Sequence, residues 1–313
     1  MPTSAVFAFT DPYEHQHAIR SGDVEIVVTR PGDYRAELKR LNLHKLWMQR
    51  TWQNLPFVAP SSLREPRVSY LFLAHDRQPP VGVFGKEVSA GEMCGGSIGD
   101  EYHVRTSAES CFASMSLSLD DFAAAGSVLI GGDIVALSKK KVVRPPPQLM
   151  SRLLNLHQAA CDLTTTAPEI FAHPEVSKSL EQALIPALVA CLSNDATRPS
   201  AVRGQRVMCK FEELIKAAPG TPLYLIDVCK AIGVTSRTLR YHCQEFLGMS
   251  PQRYLWHRRM TLARRQLMRL ERGATTVTNI ATGCGFGELG RFAVQYRVLF
   301  GETPSETLRR PAG

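Results

Sequence analysis

The sequence has no long apolar run and no targeting segment at its start. No stretch of about 18 or more consecutive apolar residues occurs among its 313 residues, which argues against a membrane-spanning helix. The opening segment, MPTSAVFAFTDPYEHQH, lacks a basic stretch followed by an apolar core, the pattern of a secretory signal. We therefore expect a cytoplasmic protein that has no contact with a membrane.

The cysteines also lack any pattern that would serve a metal or a disulfide framework. All 8 are scattered, none forms C-x-x-C, and none has zinc-finger spacing to a pair of histidines. The segment His15-Gln16-His17 is a poor metal signal, and an exposed polar loop is the favoured interpretation. We predict mostly buried, reduced thiols, no metal, no cofactor and no catalytic residue.

Charge is distributed unevenly along the chain. The net charge is +8, with residues 201–313 contributing +10 (18 Lys and Arg against 8 Asp and Glu) and residues 1–200 contributing −2. A basic C-terminal third on a nearly neutral body is typical of a nucleic-acid-binding module. A solvated basic face without a partner would give the same numbers, so charge alone does not decide.

The periodicity of the sequence predicts two domains of different class. Up to about residue 135, short β-rich runs are separated by Pro, Gly and Ser, a pattern that predicts a sandwich or small barrel; these runs are 24–28, 34–50, 68–75, 101–105 and 110–117. Helices follow at about 148–166 and 175–192, the second interrupted by Pro186, which is expected to kink or break it. A polar segment at 193–204 separates residues 1–195 from a domain at 203–310, whose segments all read as helices.

The helical third contains an internal repeat. VCKAIGV (228–234) matches IATGCGF (280–286) at an offset of 52 residues, and LRYHCQEFLGMSP (239–251) matches FAVQYRVLFGETP (292–304) at an offset of 53 residues. Each copy reads as a short helix, a glycine-containing turn and a longer helix, as in a helix-turn-helix unit. The units are predicted at about 224–247 and 277–300.

A single helix is predicted between the two copies, over residues 251–271. A helix of this length spans roughly 30 Å, close to the rise of about 34 Å for one turn of B-DNA. A rigid spacer of that size would allow the second helix of each unit to enter successive major grooves on one face of the duplex.

These motifs resemble those of the AraC/XylS family of bacterial transcription regulators. The resemblance covers about residues 205–310 and is most specific in VTNIATGCGFGELGRFAVQYRVLFGETPSE (277–306). It implies an α+β protein with a β-rich N-terminal sensor domain, trailing helices, and an all-α domain of two helix-turn-helix motifs joined by a linker helix. It further implies sequence-specific binding of double-stranded DNA, a role in transcription, expected to be activation, and RNA polymerase as a partner.

The second helix of each unit carries the residues that we expect to touch DNA. In the first unit these are Ser236, Arg237, Thr238, Arg240 and Tyr241, with arginine suited to guanine and the hydroxyls to phosphate. In the second unit they are Glu288, Arg291 and Gln295, where Glu288 either accepts from cytosine or interacts with the helix dipole. Gly290 leaves the second helix without a side chain at a position where family members often carry a long polar one. The linker arginines are interpreted as phosphate contacts or ion pairs; they are Arg258, Arg259, Arg264 and Arg265.

The N-terminal domain offers weaker signals. By resemblance it would bind a small-molecule effector or form a homodimer, and candidate pocket residues are His44, Trp47, Tyr102, His103 and Arg105. An apolar stripe over 149–160 fits either a dimer seam or the core of the domain.

Two enzyme hypotheses compete with DNA binding. A DNA-repair methyltransferase with the same helical domain would need a zinc-held cysteine cluster, and the sequence has none. The segment GFGELG (285–290) matches the dinucleotide fingerprint G-x-G-x-x-G, but that fingerprint requires a preceding strand. Here the preceding residues read as a helix, so we expect a turn and no nucleotide.

Overall fold

The computed structural model describes residues 2–20, 22–63, 66–96, 100–131, 134, 142–194, 204–218, 223–269 and 275–309. Its N-terminal part consists of two antiparallel sheets, one backed by helices, and its C-terminal part is helical in every element that it describes. The predicted α+β class is therefore confirmed. The boundary predicted at 193–204 lies largely outside the described residues, so the division into two domains stays a prediction.

A seven-stranded sheet forms the centre of the N-terminal part. In spatial order its strands are β1 (Thr3–Phe9), β4 (Ala36–Asn42), β5 (Trp47–Gln53), β12 (Ser110–Ser118), β7 (Arg67–Leu73), β10 (Met93–Gly96) and β13 (Val142–Val143). Its two faces bury different cores because side chains alternate along a strand. Tyr70 and Phe72 pack on the helices, whereas Leu71 and Leu73 face the second sheet.

A second sheet covers the other face of the first. Its strands are β2 (Gly22–Val24), β6 (Phe57–Leu63), β11 (Glu101–Arg105), β8 (Val81–Val83) and β9 (Lys86–Val88), with β3 (Val27–Val28) also paired to β6. The residues between the sheets form one apolar cluster, to which Ile26, Phe57 and Val104 belong. The predicted sandwich is thus present.

Three helices and a short 3-10 helix back the large sheet. They are α2 (Leu119–Ile130), α3 (Pro147–Thr166), the 3-10 helix Pro168–Ala172 and α4 (Pro174–Ser193). Met150, Leu153 and Ala160 of α3 are buried in the core of this layer, so the apolar stripe over 149–160 packs within the chain. Of the two effects expected at Pro186, a kink or a break, the break is wrong, because α4 continues through Pro186 while Leu184 and Leu188 anchor both sides in the core.

The C-terminal helices agree closely with the predicted segments. They are α5 (Gln205–Ala217), α6 (Leu225–Ile232), α7 (Ser236–Leu247), α8 (Pro251–Arg269), α9 (Val277–Gly283), α10 (Leu289–Phe300) and α11 (Pro304–Arg309). At the start of α11, Thr303 and Glu306 exchange hydrogen bonds through backbone N–H and side-chain oxygen. This reciprocal pair is a capping box.

The N-terminal segment departs most from the sequence prediction. Residues Pro12–Ala18 form a helix, α1, in which His15 and Gln16 are buried, so the expected exposed loop is wrong. The predicted strand 34–50 is a hairpin of β4 and β5, closed by a hydrogen bond from Leu43 N to Leu46 O of 2.9 Å. Helix α2 lies where strands alone were predicted.

Candidate DNA-binding surface

The first helix-turn-helix unit consists of α6 and α7. Gly233 ends α6 with φ +79°, a left-handed conformation that glycine adopts without steric cost. Thr235 then caps α7 by accepting a hydrogen bond of 3.1 Å from the backbone N–H of Thr238. Val228 and Leu239 bring the two helices together in one buried cluster. The turn and the cap thus fix the angle between α6 and α7.

The second unit, α9 and α10, shares the glycine turn of the first but has its side-chain cap on its first helix instead of its second. Gly285 takes φ +79°, as Gly233 does, and Thr276 caps α9 by accepting from Asn279 N at 3.1 Å. Ile280 and Phe292 fill a separate buried cluster. The segment GFGELG therefore forms the turn after α9 and the first two residues of α10. It has no strand before it and lacks the context of a nucleotide fingerprint.

The predicted contact residues of α7 lie on an open face. Ser236, Arg237, Arg240 and Tyr241 are exposed, and the Tyr241 side chain is 64% accessible. Thr238 is half-buried, and its hydroxyl lies 2.9 Å from that of Thr235. Thr238 therefore helps to build the start of α7, while the other four present their side chains outward.

The predicted residues of α10 divide into two groups. Glu288 and Arg291 are exposed at its first turn, and Glu288 occupies the N-cap position without making a side-chain cap bond. Gln295 is half-buried and accepts a hydrogen bond of 3.1 Å from Trp256 Nε1 of α8. The side chain of Gln295 is thus held by the linker helix, whereas Glu288 and Arg291 remain available to an external partner.

Sequence reasoning missed the exposed apolar residues of α10. Val294 and Val298 of α10 are 65% and 61% accessible, and Leu289 is 37% accessible. The offset of the repeat contains the signal, because it aligns Val294 with Tyr241, a predicted DNA contact. Sequence reasoning favours polar residues as DNA contacts and therefore does not single out the valines.

The four arginines singled out in the linker helix bind within the chain. Arg258 pairs with Glu212 at 3.0 Å and with Glu25 at 2.8 Å, and Arg264 pairs with Asp11 at 3.2 Å and with Glu302 at 2.9 Å. Arg259 donates to the carbonyl oxygen of Gly285 at 3.0 Å, and Arg265 lies over the ring of Tyr13. The linker arginines were expected to form phosphate contacts or ion pairs, and the ion pair applies to Arg258 and Arg264.

Glu212 is the centre of a buried polar cluster between the N-terminal and C-terminal parts. It accepts hydrogen bonds from His103 Nε2 at 2.9 Å, Tyr254 Oη at 2.6 Å and Arg258 Nη1 at 3.0 Å. Burial by itself raises the pKa of Glu212, but Arg258 and the hydrogen bonds from His103 and Tyr254 outweigh it and lower the pKa to about 2. The carboxylate thus stays charged at neutral pH.

A cavity of about 80 Å³ lies between the two sheets. Its wall is mainly apolar, with Ile26, Phe57 and Phe112, and carries polar groups that include His15. His15 lies 2.6 Å from Tyr34 Oη and 3.2 Å from Thr51 Oγ1. Burial lowers the pKa of His15 to about 4, so the ring is neutral at physiological pH.

Of the five predicted pocket residues, one lines this cavity. Tyr102 belongs to its wall, whereas His103 is bound to Glu212. Arg105 pairs with Glu87 at 3.7 Å, His44 is exposed, and Trp47 is stacked under Arg20 and Arg67. The pocket positions were hard to predict because the cavity faces inward from β4, β5, β6 and β12, whose lining residues are ordinary strand residues.

Within the described ranges, nothing resembles a metal centre or a membrane span. No three His, Cys, Asp or Glu side chains there could hold a metal ion, and no helix there is long and apolar enough to cross a membrane. Seven of the eight cysteines are buried and none of the eight, all of them described, forms a disulfide. The methyltransferase alternative therefore finds no support.

Comparison with known proteins points to the same elements. A helix-turn-helix domain family matches residues 228–310. A probable thc operon regulatory protein of Rhodococcus erythropolis is 33% identical over 150 residues, which cover 46% of this chain and 44% of that protein. The chain thus spans less than half the length of this relative.

A XylDLEGF operon transcriptional activator of Pseudomonas putida is 30% identical over 125 residues, covering 39% of this chain and 77% of that protein. Among solved structures, a probable AraC family transcriptional regulator of Rhodopseudomonas palustris is 36% identical over 33% of this chain and 96% of its own, with a TM-score of 0.30. The match to the Pseudomonas activator covers more than two thirds of that protein. The chain therefore belongs to the AraC/XylS family of transcription regulators.

Proposed function

We propose that this protein is a sequence-specific DNA-binding transcription regulator that activates its target genes. The observation that carries the proposal is the pair of helix-turn-helix units, each presenting the outer face of its second helix to solvent. Two relatives are named for the control of an operon, and one of them as an activator. On this proposal the protein acts in the cytoplasm, has no enzymatic activity and contacts RNA polymerase at the promoter.

Within this proposal, α7 is the main base-reading helix. The N-terminal residues of a recognition helix contact base edges in the major groove, and Arg237 and Arg240 lie on the exposed side of α7. Ser236, Tyr241 and Arg291 supply phosphate contacts. Glu288 either accepts from cytosine or acts on the helix dipole, and Gln295 orients α10 through its bond to Trp256.

We further propose that the cavity between the sheets binds a small-molecule effector. Its apolar wall with a few polar groups suits a small, mainly apolar molecule that carries a hydrogen-bonding group. Helix α1 connects this cavity with the DNA-binding part, because His15 lines the cavity and Asp11 binds Arg264 of the linker helix. A homodimer would place two such units on DNA.

Selection of bound fragments from genomic DNA, with and without candidate metabolites, tests this function. We expect a small set of enriched sites with a shared sequence, and neighbouring genes would indicate the effector. Affinity for such a site should fall steeply and log-linearly with salt concentration, because phosphate contacts release counterions. An affinity that is independent of salt, or enrichment of no sequence, would contradict the proposal.

The effector site has its own test. Ser114 lines the cavity from β12, and Ser114→Leu fills part of that space. We expect this variant to bind DNA as the unchanged protein does in the absence of metabolite, and to lose the change in DNA affinity that the metabolite causes. Val128→Leu, at a side chain that is 84% exposed on α2, is the control and should respond normally.

A further inference from the structure

The second recognition helix carries an apolar stripe on its outer face. Gly290, Val294 and Val298 are spaced four residues apart on α10, so they lie one above another on one side of the helix. Both valines are more than three-fifths exposed. An exposed stripe of this kind on an amphipathic helix calls for a partner.

The fold does not require these residues to be apolar. With the repeat offset of 53, Gly290, Val294 and Val298 occupy the positions of Arg237, Tyr241 and Glu245 in α7. Both helices begin after a left-handed glycine turn and end at a left-handed glycine, Gly248 or Gly301. Equivalent positions in equivalent units thus carry polar side chains in one copy and apolar ones in the other.

Gly290 also has no explanation within the chain. A Cβ atom added there would meet no atom within 4 Å, and its φ is not left-handed. Glycine inside a helix weakens it, and neither the backbone conformation nor the packing requires a glycine at position 290. A bare backbone at this position allows an external surface to approach α10 closely.

The charges beside the stripe indicate what that surface is. Arg291 and Arg297 are exposed on the same helix, and two guanidinium groups beside an apolar strip complement phosphate backbones on either side of a groove. In the major groove the apolar group on a base edge is the 5-methyl of thymine. A duplex with thymine at the contacted positions fits both the charge and the apolar character of this face.

We propose that α10 reads thymine through its 5-methyl group, in contrast to α7, which uses arginine. Val294 packs on the methyl group, and Gly290 lets the backbone come close enough for that contact. Arg291 and Arg297 hold the flanking phosphates. This assignment rests on the proposed DNA-binding function and gives the second unit a base preference of its own.

Replacement of thymine by deoxyuridine tests the proposal directly, because it removes the methyl group and leaves every hydrogen-bonding group in place. The full-length protein is first used to select its DNA site, and each thymine of that site is then replaced in turn. One methyl group removed from contact should weaken binding roughly four-fold. We expect such thymines in the half-site of the second unit, where 5-methylcytosine in place of cytosine would partly restore binding to a T-to-C variant.

A double-substitution cycle assigns the contact to Val294. Val294→Ala should weaken binding to the thymine-containing site by a similar factor, and it should abolish the further loss caused by deoxyuridine at the contacted position. Val294→Thr keeps the branched shape but replaces one methyl group with a hydroxyl, so it should weaken binding without unfolding α10. Val128→Ala, at an exposed valine of the N-terminal part, should leave every affinity unchanged.

Three results would separate the possible failures. If DNA is bound specifically but no thymine of the second half-site is sensitive to deoxyuridine, the thymine assignment is wrong. If Val294→Ala leaves DNA affinity unchanged and lowers transcription in a purified system, the stripe binds a protein, and the assignment is again wrong. If no specific site is found at all, the DNA-binding function itself fails.

Discussion

Arg264 of the linker helix donates its Nε–H to Asp11 Oδ2 at 3.2 Å, and both side chains are buried. Asp11 is also the N-cap of α1, where its other carboxylate oxygen accepts from Tyr13 N at 2.8 Å. One turn further along α1, His15 lines the cavity between the sheets. A single short helix thus contacts both the proposed effector site and the helix that joins the two DNA-binding units.

The Asp11–Arg264 contact should contribute measurably to stability. Asp11→Asn retains a good helix cap but removes the charge that faces Arg264. The ion pair of Arg264 with Glu302, at 2.9 Å, is left in place. A hydrogen bond between charged groups contributes about 1.5–3 kcal/mol, so we expect a loss of about 1–3 kcal/mol in the free energy of unfolding. Urea denaturation measures this loss. Asp120→Asn, at an exposed residue of α2, is the control and should change little.

Glu212 should give the protein a characteristic acid sensitivity. Its pKa of about 2 lies below the ordinary value of 4.5, so the unfolded chain takes up a proton that the folded chain does not between these two values. The contribution of Glu212 is therefore complete above about pH 4.5 and is lost as the pH falls toward 2.

Glu212→Gln should accordingly cost about 3–5 kcal/mol at neutral pH, because it breaks a buried pair with Arg258. The variant should also lose less stability than the unchanged protein between pH 4.5 and 3, measured by urea denaturation at each pH. Glu213→Gln, at the exposed neighbouring residue, provides the matched control. Equal effects of the two substitutions would mean that the buried cluster contributes nothing specific.

Short-range signals explain why the helix-turn-helix units could be predicted from sequence. The units predicted at about 224–247 and 277–300 match the observed start of α6, end of α7, start of α9 and end of α10 to within one residue, since caps and left-handed glycines fix a helix boundary locally. The repeat then supplied the second copy by alignment with the first. These parts of the fold depend on residues that are close together in the sequence.

Long-range burial explains what could not be predicted. Helix α1 has a polar sequence, and its buried residues find distant partners: Tyr34 and Thr51 for His15, and the backbone of Ile26 for Gln16. Similarly, nothing in the segment around Glu212 indicates that it will face His103 from another part of the chain. Such pairs arise only when the sheets and helices have assembled, so local sequence patterns do not contain them.

Replacement of arginine in α7 should reduce site preference more than overall affinity. Arg237→Ala and Arg240→Ala each remove a side chain suited to guanine, a contact worth about 1–3 kcal/mol of discrimination. We expect the difference in binding free energy between the selected site and a scrambled duplex to shrink by that amount. Competition at fixed salt measures this difference. Lys178→Ala, an equal loss of charge on α4, should leave the preference intact. Equal weakening on all sequences would instead assign the two arginines to phosphates.

Two glycines of the segment GFGELG should respond in opposite ways to the same substitution. Gly285→Ala places a side chain at φ +79°, a left-handed conformation that costs roughly 1–2 kcal/mol for a residue with a Cβ atom. Gly290→Ala meets no atom within 4 Å and lies in α10, so it should stabilise the protein by up to about 1 kcal/mol through helix propensity. Thermal unfolding of the two variants, side by side, measures both shifts.

If the thymine assignment is right, Gly290→Ala gains stability and at the same time loses affinity for the second half-site, because its added methyl group holds the helix away from the groove. A variant that is more stable and binds DNA as tightly as before would show that the absence of a side chain at Gly290 has no part in recognition.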